Sequence, residues 1–239
     1  MRPSLFLALA LLVPLASSAG AQALPPGQAG ATEVTEVLTE VAEASPEADD
    51  AAAGSGRFVA SGEVALPPGI ADFGPFRVLD SGHAALVGPT DERSPAAFLA
   101  MLAAHPAIGT LEMVECPGTE DDRANLRLGR LIRQRGLATH VPAGGSVRSG
   151  AVELYLAGVH HQAEAGAEFA VHAWADEDGR EATDYPATAP ENRAYLVYYR
   201  DMGMTEAEAA AFYAMTNSVP NASARWLTAA QMEQWARND

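Results

Sequence analysis

The alternation of short strand-like runs with longer helix-like runs, from residue 58 onwards, is the feature that most constrains the fold of this chain. The spacing of apolar residues within each run distinguishes the two kinds of element. The predicted strands cover residues 58–66, 76–79, 83–87, 108–115, 137–141 and 169–174. The predicted helices cover residues 94–104, 120–135, 149–157, 191–202, 206–215 and 229–236. This order predicts an α/β domain with crossover connections between strands.

Local signals mark the ends of two of these helices. Ser94 precedes Pro95, which is the order of an N-cap followed by proline at the first helical position. Three acidic residues, 120–122, begin the next helix, where they complement its dipole. Gly136 follows its last turn and predicts its end.

Residues 1–23 have the pattern of a secretory signal peptide. Arg2 supplies a positive charge, residues 5–15 are apolar, and small residues fill positions 16–23. The apolar run is too short for a permanent membrane anchor and contains Pro14. The pattern predicts export to the periplasm, with cleavage near Ala21 or Ala23.

A segment of different composition, residues 24–57, follows the signal peptide. It consists mainly of Ala, Gly, Pro, Glu and Asp, a composition that buries too little apolar surface to offset the entropy of ordering. We expect a disordered acidic linker, with a transient amphipathic helix over residues 35–44 as the alternative. The folded domain is predicted to cover residues 58–239, and no stretch after Ala23 is long and apolar enough to span a membrane.

Charge and cysteine content narrow the class of protein. The formal net charge is −16 at pH 7, which makes nucleic acid and anionic lipid poor partners. A single cysteine, Cys116, excludes an intramolecular disulfide, so stability depends on the core. We expect Cys116 to be buried as a small apolar residue rather than to act as a reactive thiol.

Several short motifs occur in an order that resembles a known superfamily. Residues 116–119 read Cys-Pro-Gly-Thr, residues 131–139 read Leu-Ile-Arg-Gln-Arg-Gly-Leu-Ala-Thr, and Ser149-Gly150 begins a small-residue helix. Leu-Ala-Gly at 156–158 and Val171-His172 follow. This order resembles the Clp-protease/crotonase superfamily, and within it the exported Clp-protease-like proteins, over residues 76–232.

The resemblance implies a fold of repeated ββα units that form a spiral with C-terminal helices. It also implies a serine hydrolase acting on peptide bonds without a cofactor, with Ser149 as nucleophile and His172 as general base. Serine is a weak nucleophile until a base accepts its proton. The oxyanion donors would be the backbone N–H groups of Gly118 and Gly150, where no Cβ blocks close approach. Members commonly assemble through C-terminal helices, so the resemblance also implies a homo-oligomer.

The sequence departs from the superfamily pattern around this predicted site. Thr119 replaces the second glycine of the oxyanion turn, Cys116 replaces its serine, and Ala224 stands where the Clp proteolytic subunit has its triad aspartate. The acidic residues 120–122 would oppose negative charge in the oxyanion hole. Six other residues are alternatives for the third group: Asp176, Asp178, Asp184, Asn217, Asn221 and Ser223.

These departures keep a second hypothesis open, in which the chain has the fold but has lost catalysis and acts as a binding or assembly protein. A zinc site at His160 and His161 is disfavoured, because adjacent residues on a strand point to opposite faces. We therefore predict no metal. An intact Ser149 and His172 favour the hydrolase.

Overall fold

A computed structural model describes residues 65–236. The predicted signal peptide at residues 1–23 and the predicted linker at 24–57 lie outside the described residues, as do the first and last few residues of the predicted domain. No helix within 65–236 is both long and apolar enough to cross a membrane.

The described chain alternates strands and helices in the predicted manner. The strands are β1 (Ala71–Phe73), β2 (Phe76–Val78), β3 (His83–Leu86), β4 (Thr110–Met113), β5 (Glu115–Cys116), β6 (Ala138–Val141), β7 (Ser146–Arg148), β8 (His161–Ala163), β9 (Glu168–Val171) and β10 (Arg225–Thr228). The helices are α1 (Ser94–Ala104), α2 (Asp122–Gln134), α3 (Ala151–Leu156), α4 (Pro190–Asp201), α5 (Glu206–Thr216) and α6 (Ala229–Glu233).

The strands form two sheets. One has six strands in the order β1-β2-β3-β4-β6-β8, and the other has four in the order β10-β9-β7-β5. Strands β3, β4, β6 and β8 run parallel, as do β5, β7 and β9, while β10 pairs with β9 in antiparallel orientation. Successive units therefore add one strand to each sheet and then a helix, as in β4-β5-α2 and β6-β7-α3. The predicted α/β class is confirmed, and the topology is a ββα repeat followed by helices.

The predicted strand over residues 108–115 is two strands that belong to different sheets. Thr110–Met113 pairs with β3 and β6, whereas Glu115–Cys116 pairs with β7. The chain crosses between sheets at Val114, which is 7% exposed. Cys116 is buried, as predicted, and its thiol donates to the Leu86 carbonyl oxygen at 3.5 Å. Burial raises the pKa of that thiol, which keeps it protonated.

Helix α4 packs closely against α2 and places tyrosines in the interior. A Cβ at Gly129 of α2 would lie 2.0 Å from the Tyr198 hydroxyl oxygen, so only glycine permits this contact. Tyr198 and Tyr199 are 0% and 1% exposed. Burying a large side chain of this kind contributes on the order of 2 kcal/mol. The Tyr198 hydroxyl also donates to the Glu153 carbonyl oxygen of α3, so one side chain of α4 contacts both α2 and α3.

Candidate functional site

A cavity of about 330 Å³ lies where the strands of the smaller sheet end. Pro117 follows β5, Ser149 follows β7 and His172 follows β9, and all three residues line the cavity. These strands are parallel, so their carboxyl ends meet at one edge of the sheet. The topology thus brings the predicted nucleophile and the predicted base to the same cavity.

Ser149 has an unusual backbone conformation. Its φ is +51°, and among residues 65–236 it is the one non-glycine residue with positive φ. A left-handed conformation costs an ordinary residue roughly 1–2 kcal/mol. The Ser149 N–H donates to the Ala170 carbonyl oxygen at 2.8 Å, and the Ser149 carbonyl accepts from Val152 N at 3.0 Å. The fold therefore holds a serine in a strained conformation at the cavity wall, which is a common property of functional residues.

The helix that follows Ser149 begins later than predicted. Helix α3 begins at Ala151, and Gly150 is its N-cap. The helix is six residues long, so its dipole contributes little to the site. Ser149 instead belongs to the turn between β7 and α3.

Gly118 lies directly against Ser149. A Cβ at Gly118 would lie 2.9 Å from the Ser149 Cβ and 3.4 Å from its Oγ, and Gly118 has φ of +127°. Within residues 65–236, neither the Gly118 N–H nor the Gly150 N–H donates a hydrogen bond to another residue. Of the two predicted oxyanion donors, Gly118 thus contacts Ser149 in space and Gly150 follows it in sequence.

Thr119, which departs from the superfamily pattern, packs against Gly150. A Cβ at Gly150 would lie 2.5 Å from the Thr119 methyl group. The buried Asn125 donates to the Gly150 carbonyl oxygen at 2.6 Å and accepts from the Thr90 hydroxyl at 3.0 Å. These contacts fix the backbone after Ser149 and accommodate a threonine at position 119.

His172 is oriented by neutral groups. Its Nδ1 lies 2.8 Å from the Ala173 carbonyl oxygen, so this nitrogen carries the proton and donates. The Nε2 lone pair is then the basic position of the neutral ring. Asn221 Nδ2 lies 3.2 Å from His172 Nδ1 and donates to the same Ala173 oxygen at 2.9 Å. A backbone carbonyl braced by Asn221 therefore stands behind the imidazole.

The predicted aspartate alternatives for this third position form other contacts. Asp176 accepts from the Tyr185 hydroxyl and pairs with Arg180. Asp178 also pairs with Arg180, and Asp184 accepts from the Glu181 N–H at 2.8 Å. These carboxylates organise their own loop, and of the six alternatives Asn221 is the one placed beside His172.

A buried carboxylate that the sequence analysis did not single out also lines the cavity. Glu153 lies in α3, four residues after Ser149, and is 6% exposed. It accepts from the Tyr199 hydroxyl at 2.7 Å, while the Tyr198 hydroxyl donates to its backbone carbonyl at 2.6 Å. Burial raises the pKa of Glu153 to about 7, and the negative charge of Asp122 also raises it. Its burial depends on Tyr198 and Tyr199 from a distant part of the chain, so local spacing gave no signal of it.

Asp122 and Glu120 are further carboxylates in the cavity wall. Burial raises the pKa of Asp122, whereas a hydrogen bond from Tyr195 and the nearby His172 lower it. The acidic run that was expected to complement a helix dipole thus also faces the cavity. Asp121 is the residue that caps α2, since its side chain accepts from Ala124 N at 2.8 Å.

Aromatic rings form a further part of the cavity wall. Trp174 stacks on Tyr195, with ring centroids 6.3 Å apart and planes 10° from parallel. The Trp174 indole N–H donates to the Tyr213 hydroxyl at 2.7 Å. The tyrosines of α4 and α5 therefore serve both the core and the cavity.

A metal site and a lysine base are two other possibilities for the chemistry of this protein. Within the described range, no group of three or more His, Cys, Asp or Glu side chains is arranged to hold a metal ion. His161 Nε2 lies 3.0 Å from the Leu156 carbonyl oxygen, so this ring contacts the end of α3. The printed sequence contains no lysine, which excludes lysine as the base for Ser149.

Comparisons with known proteins give matches to solved structures alone. No protein-family model matches the chain, and no curated protein matches it in sequence. One similar structure is a mutant of the 1510-N membrane-bound stomatin-specific protease, at 12% identity and a TM-score of 0.45, with 66% of this chain and 78% of that chain covered. Another mutant of that protease, in complex with a substrate peptide, has 12% identity and a TM-score of 0.42, with 64% and 74% covered. At this identity the similarity concerns the fold alone.

Proposed function

We propose that this protein is an exported serine hydrolase of the periplasm that cleaves peptide bonds, with Ser149 as nucleophile and His172 as general base. The observation that carries the proposal is the strained Ser149 at the wall of a cavity that His172 also lines. Strain of this kind persists only where surrounding structure maintains it. Export rests on the pattern of residues 1–23, and assembly into a homo-oligomer rests on the family resemblance.

The proposed reaction follows from the tautomer of His172. Its Nε2 accepts the Ser149 hydroxyl proton as Oγ attacks the carbonyl carbon of the peptide. The oxyanion of the tetrahedral intermediate accepts from the Gly118 and Gly150 N–H groups. The imidazolium then gives its proton to the leaving nitrogen as the C–N bond breaks. Water, activated by the same ring, hydrolyses the acyl-enzyme and restores the Ser149 hydroxyl.

The third group in this mechanism is a carbonyl rather than a carboxylate. The Ala173 carbonyl holds the Nδ1 proton and so maintains the tautomer, with Asn221 bonded to the same oxygen. It supplies no negative charge along that bond to stabilise the imidazolium. Replacing the aspartate of a triad by asparagine installs the wrong tautomer and costs on the order of 10⁴ in kcat, so maintaining the tautomer is one of the aspartate's two functions.

One observation favours a non-catalytic binding protein as the second candidate. Glu120, Asp122 and Glu153 line the cavity in which the oxyanion would form, and their charge opposes it. A protein that binds a ligand without hydrolysis would not be subject to this opposition. The two candidates differ in whether Ser149 becomes covalently modified.

A fluorophosphonate probe tests the hydrolase directly. We expect slow labelling of the full-length protein, located at Ser149 by mass spectrometry and lost in Ser149→Ala and His172→Ala. Ser218→Ala is the matched control, because the Ser218 hydroxyl donates to the Met215 carbonyl and does not line the cavity. It should label like the unaltered protein.

A gain-of-function variant, Ala224→Asp, tests the third position. Strand β10 pairs with β9 so that Arg225 faces Val171, and continuing this register by one residue puts position 224 opposite His172. Side chains of directly opposed residues share a face. The new carboxylate should therefore increase the labelling rate about tenfold or more, since it adds charge stabilisation. Folded protein that is unreactive both with and without this substitution would support the binding protein.

A further inference from the structure

The cavity beside Ser149 has the chemistry of a site for a positively charged group. We propose that it is the subsite for a basic side chain, arginine or lysine, next to the bond that is cleaved. This inference rests on the proposed function, because only a hydrolase has a substrate with a cleaved bond. The binding of a cation can be tested separately, without hydrolysis. The argument depends on the charges, on one unsatisfied acceptor, on the aromatic wall and on size.

The charged groups of the wall are nearly all of one sign. Glu120, Asp122 and Glu153 line the cavity, and no arginine is among its lining residues. The most buried of them, Glu153, is 6% exposed. A carboxylate in a largely water-excluded site interacts strongly with a cation and rejects an anion. An acidic substrate side chain is thereby disfavoured.

A second observation concerns a buried acceptor atom of a residue that lines the cavity. The Oδ1 atom of Asn217, a lining residue, is buried and accepts no hydrogen bond from the described residues. Its Nδ2 donates to the Tyr213 carbonyl at 2.8 Å and to the Thr216 hydroxyl at 3.2 Å, which fixes the orientation of the amide. A buried acceptor without a donor is rare and unfavourable in a folded protein. The missing partner is a donor, and a guanidinium or ammonium group supplies several.

The aromatic wall is suited to the same ligand. Trp174, Tyr195 and Tyr213 line the cavity, and the first two rings are stacked. Cations are attracted to the faces of such rings. An aliphatic substrate side chain would contact the rings equally well, but it would bring no positive charge to the carboxylates.

The size of the cavity limits what enters it. A volume of about 330 Å³ is near the lower end of small-molecule sites, which suits one extended side chain. Ser149 and Glu153 line the same cavity, so a basic side chain in contact with Glu153 would belong to a residue close to the bond that Ser149 attacks. The proposed specificity is for the residue that contributes the carbonyl of the cleaved bond.

Benzamidine binding to Ser149→Ala, measured by calorimetry, tests the subsite without hydrolysis. We expect saturable binding of benzamidine and none of benzamide, its neutral analogue of similar shape. Glu153→Gln should weaken benzamidine binding at least tenfold at pH 8. The control Glu206→Gln removes the same charge at an exposed position of α5 and should leave binding unchanged. Asp122→Asn provides a second variant if Glu153→Gln fails to fold.

Peptide amides with arginine or leucine before a fluorogenic leaving group test the same subsite in the reaction. We expect kcat/KM at least 100-fold higher for arginine, and a ratio near one in Glu153→Gln. Equal binding of benzamide and benzamidine, or binding unaffected in both acidic-residue variants, would overturn the subsite. Benzamidine binding without any fluorophosphonate labelling would retain the cation site and refute the hydrolase. Fluorophosphonate labelling without benzamidine binding would support the hydrolase and refute the cation site.

Discussion

The buried carboxyl of Glu153 predicts a specific dependence of stability on pH. Burial raises its pKa from an ordinary value of 4.5 to about 7 in the folded protein. Between these values the folded state holds a proton that the unfolded chain has released. The free energy of unfolding therefore falls as pH rises through this interval, and the stability present below pH 4.5 is lost above pH 7.

The size of the effect follows from the difference between the two pKa values. Each tenfold change in a protonation equilibrium corresponds to about 1.4 kcal/mol, so the loss attributable to Glu153 is about 3 kcal/mol between pH 4 and pH 8. Other groups titrate in the same range, and Asp122, whose pKa is raised by burial, contributes with the same sign. The effect of Glu153 is thus best measured as a difference between variants.

Glu153→Gln isolates this contribution. The amide keeps an oxygen that can accept from the Tyr199 hydroxyl, but it does not titrate. We expect urea unfolding at pH 5, 6, 7 and 8 to give a curve of unfolding free energy against pH that falls less steeply than that of the unaltered protein. The two curves should diverge by roughly 2–3 kcal/mol over this range. Glu206→Gln, at an exposed position, should run parallel to the unaltered protein.

Parallel curves for Glu153→Gln and the unaltered protein would refute the reasoning, because they would mean that Glu153 ionises in the folded state as readily as in the unfolded chain. If the curve of Glu153→Gln were parallel but lower at every pH, the constant difference in unfolding free energy would indicate a lost packing contact. In either case the carboxylate would be charged throughout the neutral range.

Three further predictions concern the turn around Ser149 and the thiol. Gly118→Ala should lower fluorophosphonate labelling more than 100-fold and destabilise the fold by more than about 1 kcal/mol, because its Cβ would meet Ser149 and its φ is positive. Thermal unfolding should show Ser149→Gly to be about 1 kcal/mol more stable than Ser149→Ala, since glycine relieves the left-handed strain; equal stabilities would argue against strain. A thiol reagent should modify Cys116 only after denaturation, and rapid reaction of the native protein would contradict its burial.

The helix limits were predictable because their signals are local. Helix α1 covers Ser94–Ala104, as predicted, although Ser94 is its first residue and not its N-cap. Helices α4 and α5 agree with prediction to within a residue at each end. The capping box of α5, formed by Thr205 and Glu208, lies entirely within its first turn. Residues distant in sequence are not needed to specify such a helix end.

The strands that the sequence analysis did not predict form because they pair with other strands. Strands β1, β7 and β8 have three residues each, too few for a period of two to be visible in sequence. Strand β10 forms by antiparallel pairing with β9, from the far end of the chain. Its partner is determined by the fold of both sheets and not by residues 225–228 alone.

The candidate site was predictable in part for the same reason. Ser149 and His172 were identified through the order of family motifs, and the parallel strands explain why that order brings them together. Asn221 reaches His172 through the chain that leads into β10, and Glu153 becomes buried because α4 covers α3. Neither position could be derived from local spacing.

Position 224 has no carboxylate, but Asp122 lies in the same cavity as His172. The role of the missing aspartate is therefore best considered together with Asp122. The aspartate of a triad has two effects, which are to fix the tautomer of the histidine and to attract the positive charge that develops on it. In this protein the Ala173 carbonyl has the first effect. In the proposed mechanism Asp122, which interacts electrostatically with His172, lies in the same cavity and would attract the positive charge that forms on the ring during the reaction. The two effects would thus be divided between the Ala173 carbonyl and the Asp122 carboxylate. Because that carboxylate also faces the proposed basic side chain, a bound cation would compete with His172 for it, and substrate binding and proton transfer would be electrostatically linked.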